Sequence, residues 1–263
     1  MRLLRHRDLL GQIGLFLLGF GGSVYVSLTP ANSMMNWYSI DDAFYYYQVA
    51  RNALNGYGFT FDQINLTNGF HPLWMVVCLG VFWLSRFNLL LPLRVLVLVS
   101  GIVNGLTGVV LFRLLRKELH PAAAIVGACT WMLLPSIFST TAMHGMEAAI
   151  SALFLALFLS QSAKLLTANP DNNQRRRYLL LAGLLGALAI LSRLDNLFVV
   201  FAVGIFLILR VRRINRLLVF DLAAILVAAA GAWVIRFGNA SSINNFSFYP
   251  MLAVGLVIKP IIL

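Results

Sequence analysis

The sequence predicts an all-α membrane protein that crosses the bilayer several times. Of its 263 residues, 60% are hydrophobic and only 11% are charged, and the mean hydropathy is +0.84. Several apolar runs approach the roughly 20 residues that a helix needs to span a bilayer. These runs are continuous and do not alternate apolar with polar residues, which excludes the strands of a membrane barrel.

The basic residues predict how the chain is oriented. A soluble protein with a net charge of +11 would be a candidate for nucleic-acid binding. Here the basic residues cluster between apolar runs, as expected of short cytoplasmic loops. The clusters lie at 2–7, 113–117, 164–177 and 210–216. We therefore predict a cytoplasmic N-terminus and no nucleic-acid partner.

The spans follow from keeping all four clusters on one side of the membrane. The first covers about residues 9–28 and is longer than the apolar part of a cleaved signal peptide. The others are predicted at about 94–113, 121–141, 148–163, 178–191, 197–209 and 217–235, and 251–263 could begin another. The whole chain, 1–263, then forms a single module of about seven transmembrane helices.

Residues 30–92 are predicted to form a long external loop that carries juxtamembrane helices. The run HPLWMVVCLGVFWL, at 71–84, is short for a span and fits an interfacial or re-entrant helix. A full crossing there would also move the 113–117 cluster outside. This topology gathers five of the nine acidic residues on the external face: Asp41, Asp42, Asp62, Glu147 and Asp195.

The adjacent acids Asp41 and Asp42 are predicted to open a helix on this face. Ser39 and Asp42 have the spacing of a capping box, and Gly56 suits the left-handed position after the helix end. The helical period places Asp41 on a polar stripe with Tyr45, Gln48, Asn52 and Asn55. Capping and the helix dipole explain Asp42 well. Asp41 beside the acyl boundary could instead have a raised pKa and act as a general base.

The segment IDDAFYYYQVARNALNGYGFTFDQINLTNGFHPLW, at 40–74, resembles the first external loop of GT-C glycosyltransferases. This superfamily includes protein O-mannosyltransferases and aminoarabinose transferases. The shared features are an acid pair after the first span, a G-x-G turn at 56–58 and a P-L-W segment at 72–74. Further along, MHGMEAA at 143–149 matches a second external acid, and 193–195 matches an R-x-D turn.

This resemblance implies a GT-C-type bundle that transfers a sugar from a polyprenyl-phosphate donor, with inversion, to a lipid, glycan or protein acceptor. It implies that Asp41 is the base, that Asp42 is its neighbour and that Glu147 is the second acid. We expect an integral protein of a bacterial inner or plasma membrane, with an extracytoplasmic active face. The surrounding lipids and a larger membrane complex are its expected partners.

Several other external residues could bind substrate. Arg193 could pair with Asp195, or its guanidinium fork could hold the donor phosphate. Arg51 and Arg94 are weaker phosphate candidates. Tyr45 could stack on a sugar, although an aromatic belt with Tyr46, Tyr47, Trp37 and Trp74 is the usual role of such residues.

Two histidines, His71 and His144, lie on the same predicted face and are further candidates for binding substrate. With the external acids they could hold Mg²⁺ or Mn²⁺. No spacing in the chain is diagnostic of zinc, and a structural role fits both histidines. We therefore assign no residue to a metal.

Two other functions are compatible with parts of the sequence. The chain ends within an apolar run at 255–263, so it could be a shortened, non-catalytic scaffold or accessory subunit. A transporter would bury charges in mid-membrane and show inverted repeats. The charges here fall in loops or at span ends, apart from Asp221, and no repeat is evident, which disfavours a transporter.

Overall fold

The computed structural model describes residues 2–38, 41–85, 88, 90–167 and 171–210, and this part of the chain is almost entirely helical. The helices are α1 (Arg2–Leu28), α2 (Ala31–Ser33), α3 (Asp41–Leu54), α4 (Pro72–Ser85), α5 (Leu91–Leu115), α6 (Pro121–Leu133), α7 (Pro135–Phe138), α8 (Ala148–Thr167), α9 (Asn172–Ser192) and α10 (Asn196–Arg210). Two π-helical segments cover Met34–Tyr38 and Ser139–Met143. The described residues form no strand, only an isolated bridge between Thr60 and Leu66. The all-helical class is confirmed.

Helices α1 and α5 form the closest long pair, and small residues make their approach possible. Gly101 and Gly105 on α5 have the GxxxG spacing that lets membrane helices pack tightly. A Cβ added to Gly105 would lie 2.7 Å from the backbone oxygen of Phe16, and one added to Gly101 would collide with Ser23. A larger side chain at either glycine would therefore push α1 away from α5.

The contacts of these two helices show that they run antiparallel. Arg113, near the end of α5, donates a hydrogen bond of 2.8 Å to Gln12, near the start of α1. Arg94, near the start of α5, donates one of 3.3 Å to the backbone oxygen of Thr29, just after α1. The 113–117 cluster therefore lies beside the start of α1, and we call this the basic end of the bundle. The opposite end, which holds Thr29, α3 and Glu147, is called the acidic end.

The segment between α1 and α5 stays at the acidic end. Helices α3 and α4 have 14 residues each and pack against one another. The second of them, α4, covers the run at 71–84 that is too short for a span. Since α1 finishes and α5 starts at the same end, the chain does not cross the bundle between them.

The segment predicted as a span at 121–141 is not one straight helix. Helix α6 and the helical segment Pro135–Met143, which begins with α7, meet at a bend of 58°. Leu134 is extended, with a ψ of 119°, because Pro135 follows it and disfavours the helical conformation. The chain then enters the π-helical segment Ser139–Met143, which leads to the acidic end.

The predicted number of seven spans is not reached in the part that the structure describes. Three helices are long and apolar enough to cross a membrane, namely Asp8–Leu28, Leu91–Leu115 and Ala148–Leu166, and the bent pair α6–α7 could be a fourth. Helix α9 has the arginines 175–177 in its first two turns, and α10 has only 15 residues. The predicted span at 217–235 and the segment 251–263 lie outside the described residues.

Helix α3 begins at Asp41 and ends where the sequence indicates. The backbone N–H groups of Gly56 and Tyr57 bond to the oxygens of Ala53 and Asn52, and Gly56 has a φ of 89°. This is the Schellman arrangement that favours glycine at the left-handed position. The predicted cap, Ser39, lies outside the described residues.

The predicted polar stripe of α3 is wrong at Asn52. This side chain is only 1% exposed, and its amide donates 3.0 Å hydrogen bonds to the backbone oxygens of Thr60 and Phe61. A buried amide with two carbonyl acceptors is satisfied without water. Asn52 therefore fixes the loop that follows α3 rather than facing solvent.

The predicted aromatic belt is also wrong for three of its members. Tyr46 and Tyr47 are each 4% exposed, and Trp74 is fully buried. They belong to the core that joins α3, α4 and the start of α5. The side chain of Trp37 lies outside the described residues.

Candidate active site

Three distant segments meet at the acidic end around one buried carboxylate. Glu147, just before α8, is 3% exposed. Its Oε1 atom lies 3.2 Å from Nη1 of Arg193, just after α9, and 3.7 Å from Nε2 of His71, just before α4. The side chains of Glu147, Arg193, His71 and Asp195 are called the Glu147 cluster below.

The turn that carries Glu147 is held from two sides. Ser23 on α1 donates a 2.8 Å hydrogen bond to the backbone oxygen of Ala142, and the Tyr47 hydroxyl donates one of 3.1 Å to that of Gly145. Gly145 has a φ of 64°, and a Cβ at this position would collide with the Tyr47 hydroxyl. Ala142 lies in the last turn of the π-helical segment and Gly145 follows it, so these side chains supply partners to carbonyl groups near a helix end.

The turn that carries Arg193 is fixed by Asn196. The Asn196 amide donates hydrogen bonds of 2.7 Å to the Ser151 hydroxyl and 2.8 Å to the backbone oxygen of Ala189. Arg193 then forms two hydrogen bonds to Asp195, of 3.1 and 3.2 Å, in addition to its contact with Glu147. One guanidinium thus lies between two carboxylates.

The charges in this cluster shift the pKa values of its acids in opposite directions. Burial raises the pKa of Glu147, although Arg193 and the nearby Tyr46 hydroxyl oppose the rise. Burial also acts against ionisation of Asp195, but the hydrogen bonds and positive charge of Arg193 outweigh it and lower the pKa of that carboxyl. Asp195 therefore holds the negative charge more firmly than Glu147 does.

Tyr46 connects α3 to this cluster. Its hydroxyl accepts a 3.0 Å hydrogen bond from the backbone N–H of His71. Burial, followed by the charge of Glu147, raises the pKa of Tyr46 well above its ordinary value. Tyr46 therefore stays a neutral phenol beside Glu147.

The acid pair lies apart from these contacts. Asp41 and Asp42 are both exposed in the first turn of α3, and neither has an ion-pair partner among the described residues. Successive side chains of a helix point about 100° apart, so Asp41 and Asp42 lie on different faces of α3. Asp41 shares its face with Phe44, Gln48 and Arg51.

A cavity of about 1050 Å³ opens along that face of α3. Its described wall is mostly apolar and aromatic and includes Phe44, Tyr47 and Phe82. Arg51 also lines it and is exposed. Tyr46 thus contacts the Glu147 cluster from one side of α3, while Tyr47 and Arg51 line the cavity on another.

The remaining candidates have more local surroundings. Tyr45 stacks on Phe61 with a centroid separation of 5.5 Å, and its hydroxyl bonds to Thr67. His144 is half-buried, and this burial lowers its pKa. Within the described ranges, no three His, Cys, Asp or Glu side chains come together as a metal site. The Glu147 cluster also fits a divalent ion poorly, because the Arg193 cation already occupies the carboxylate.

A helical membrane protein with a buried, cation-paired acid at one end of its bundle is compatible with the expected GT-C class. Residues 71–237 match the family model described as dolichyl-phosphate-mannose-protein mannosyltransferase. This is more than half of the chain, and the chain therefore belongs to that family, which is one of membrane glycosyltransferases of the GT-C type. No curated protein and no solved structure matches the chain.

The matched region includes the whole Glu147 cluster but begins after the acid pair. Sequence reasoning singled out the charged members of that cluster but missed the roles of Tyr46, Tyr47 and Ser23. The run of three tyrosines in a predicted helix carried the only signal, because consecutive helical residues face different neighbours.

Proposed function

We propose that this protein transfers one sugar from a polyprenyl-phosphate donor to a hydroxyl group of an acceptor on the extracytoplasmic side of the membrane. The observation that carries the proposal is the meeting of Glu147, Arg193 and His71 at the acidic end, all within the family-matched region. A donor whose lipid tail stays in the bilayer requires a site at the membrane boundary, and the acidic end supplies one.

The reaction is a displacement at the anomeric carbon. The acceptor oxygen attacks this carbon and forms the new glycosidic bond, while the bond from carbon to the phosphate oxygen breaks. The phosphate leaves with the electron pair, and the acceptor proton passes to the Asp41 carboxylate. Attack from the face opposite the leaving group inverts the anomeric configuration.

Asp41 is suited to the base role because it is exposed and lacks an ion-pair partner in the described part of the chain. A carboxylate that is already paired would be a weaker proton acceptor. Glu147 is paired and buried, which suits a group that orients the acceptor.

The test follows the release of polyprenyl phosphate by the purified full chain in lipid nanodiscs. A panel of polyprenyl-phosphate sugars is supplied together with acceptors extracted from the source membrane, and the product configuration is read by NMR. We expect one donor to be consumed with inversion. Asp41→Asn should slow the release at least about 100-fold, the lower end of the usual contribution of a general base.

Asp62→Asn is the matched control. Asp62 is an exposed acid of the same loop, but its carboxylate is occupied by hydrogen bonds from Ile64 and Asn65. We expect this variant to keep the wild-type rate. Failure of wild type to consume any donor, or equal losses in both variants, would refute the proposal.

A further inference from the structure

The cavity along α3 has the composition of a site for an anionic amphiphile. Apolar and aromatic side chains, among them Phe44, Phe82 and Leu93, form most of its described wall. Arg51 is the only charged side chain among the described lining residues. A volume of about 1050 Å³ accommodates a head group and part of a hydrocarbon chain.

The cations of the acidic end differ in whether they are already engaged. Arg193 is held between Glu147 and Asp195, and Arg94 bonds to the backbone oxygen of Thr29. The side chain of Arg51 makes no hydrogen bond or ion pair with another described residue. Among these three, Arg51 is therefore the guanidinium whose donors are free for a ligand, and a planar fork of this kind suits phosphate oxygens.

We propose that this cavity binds a lipid phosphate, with the phosphate on Arg51 and the hydrocarbon chain along Phe44, Phe82 and Leu93. The identification of this lipid as the sugar donor rests on the proposed transferase function. It moves the phosphate away from Arg193, which the sequence favoured over Arg51.

The helical geometry connects this site with the base. Asp41, Phe44, Gln48 and Arg51 follow one another at i, i+3, i+7 and i+10, so they form one stripe of α3. Ten residues of helix separate Asp41 from Arg51 by about 15 Å along the axis. Side chains lean towards the N-terminus of their helix, which brings the guanidinium towards Asp41. A sugar attached to a phosphate on Arg51 can therefore extend towards the carboxylate.

The test uses native mass spectrometry of the full chain with a polyprenyl phosphate that carries no sugar. Wild type should retain this lipid. Arg51→Gln should weaken retention by about 10- to 100-fold, the range expected when a charged hydrogen bond is removed. Arg51→Lys should fall between the two, because it keeps the charge and loses the fork. Arg94→Gln is the matched comparison, because Arg94 already bonds to the backbone oxygen of Thr29, and it should bind within about twofold of wild type, which is below 1 kcal/mol.

Two further arms identify the ligand. Leu54→Trp narrows the cavity from a half-buried position and should weaken lipid retention while its unfolding temperature stays near that of wild type. Phosphatidylglycerol is offered in competition, and inorganic phosphate is offered alone. Displacement by phosphatidylglycerol at equal concentration would identify a general phospholipid site rather than a donor site. Retention of inorganic phosphate by itself would refute the role of the apolar wall.

The outcomes separate this proposal from the transferase proposal. Retention that survives Arg51→Gln but is lost in Arg193→Gln would overturn the assignment to the cavity. Retention that depends on Arg51 without any sugar transfer would support the lipid-phosphate site and refute the transferase. Transfer that is unaffected by Arg51→Gln at limiting donor would refute the site and leave the transferase intact.

Discussion

Removing Arg193 should destabilise the protein in a way that depends on pH. Glu147 is buried, and its closest cation is Arg193 at 3.2 Å. Breaking a fully buried pair by removing one partner costs about 3–5 kcal/mol. The side chain of Arg193 is 38% exposed, so solvent screens part of the interaction. We therefore expect Arg193→Gln to lose about 1–2 kcal/mol at neutral pH.

The sign of the pH dependence follows from the raised pKa of Glu147. Below its ordinary value of 4.5, the carboxyl is protonated in both the folded and the unfolded state, and burial carries no charge penalty. As the pH rises from that value through the raised folded pKa, the folded state must bury a charge, so stability falls. Losing the Arg193 cation raises this pKa further. The variant should thus be close to wild type at low pH and less stable at neutral pH.

The measurement is thermal unfolding in one detergent, from below pH 4.5 to neutral pH. A loss of about 1–2 kcal/mol corresponds to a shift of roughly 2–8 °C for a chain of this size. Glu147→Gln combined with Arg193→Gln is the control, since a neutral amide needs no cation, and this double variant should lack the pH-dependent part. An Arg193→Gln variant as stable as wild type at neutral pH, or one with the same deficit at every pH, would refute the reasoning.

Three other substitutions test single contacts. Tyr47→Phe removes the hydroxyl that holds Gly145, and it should lower the free energy of unfolding by about 1 kcal/mol and also lower the transfer rate. An unchanged transfer rate would show that this contact does not position Glu147. Asn52→Ala leaves the buried oxygen of Thr60 and the partly buried oxygen of Phe61 without their partner, and it should make the 57–66 loop sensitive to limited proteolysis. A loop as resistant as in wild type would contradict this role. Hydrogen bonds from Asn65 and Ile64 lower the pKa of Asp62 to about 2. The turn that these bonds hold should therefore be fully formed above the ordinary pKa of 3.8 and should open as the pH falls through about 2, which an NMR titration measures. A turn that is already open near pH 3.8 would contradict these hydrogen bonds.

Local sequence patterns predicted where helices end better than they predicted which residues the side chains contact. The Asn55-Gly56 pair indicated the end of α3, and Gly56 adopts the left-handed conformation that this requires. Pro135 was visible within the predicted span at 121–141, and its effect on Leu134 explains why the chain bends there. The rule that proline ends a helix would have found this break from the sequence alone.

Which residues a side chain contacts depends on how distant segments pack, and helical periodicity carries no information on that packing. The period placed Asn52 on a polar stripe, but the carbonyl groups of the following loop cover that position and bury the amide. Tyr46 and Tyr47 were predicted to face the interface, yet each finds a buried acceptor or donor on another segment. The meeting of His71, Glu147 and Arg193 likewise requires three loops that are far apart in the chain.

The two neighbouring tyrosines of α3 set a constraint on the length of that segment. Tyr46 meets the backbone of His71 beside Glu147, and Tyr47 meets the turn that carries Glu147. A single inserted or deleted residue upstream of them would turn both rings by about 100° and disconnect both contacts together. The segment between Asp41 and Tyr47 should therefore accept many changes of side chain but no change in the number of residues.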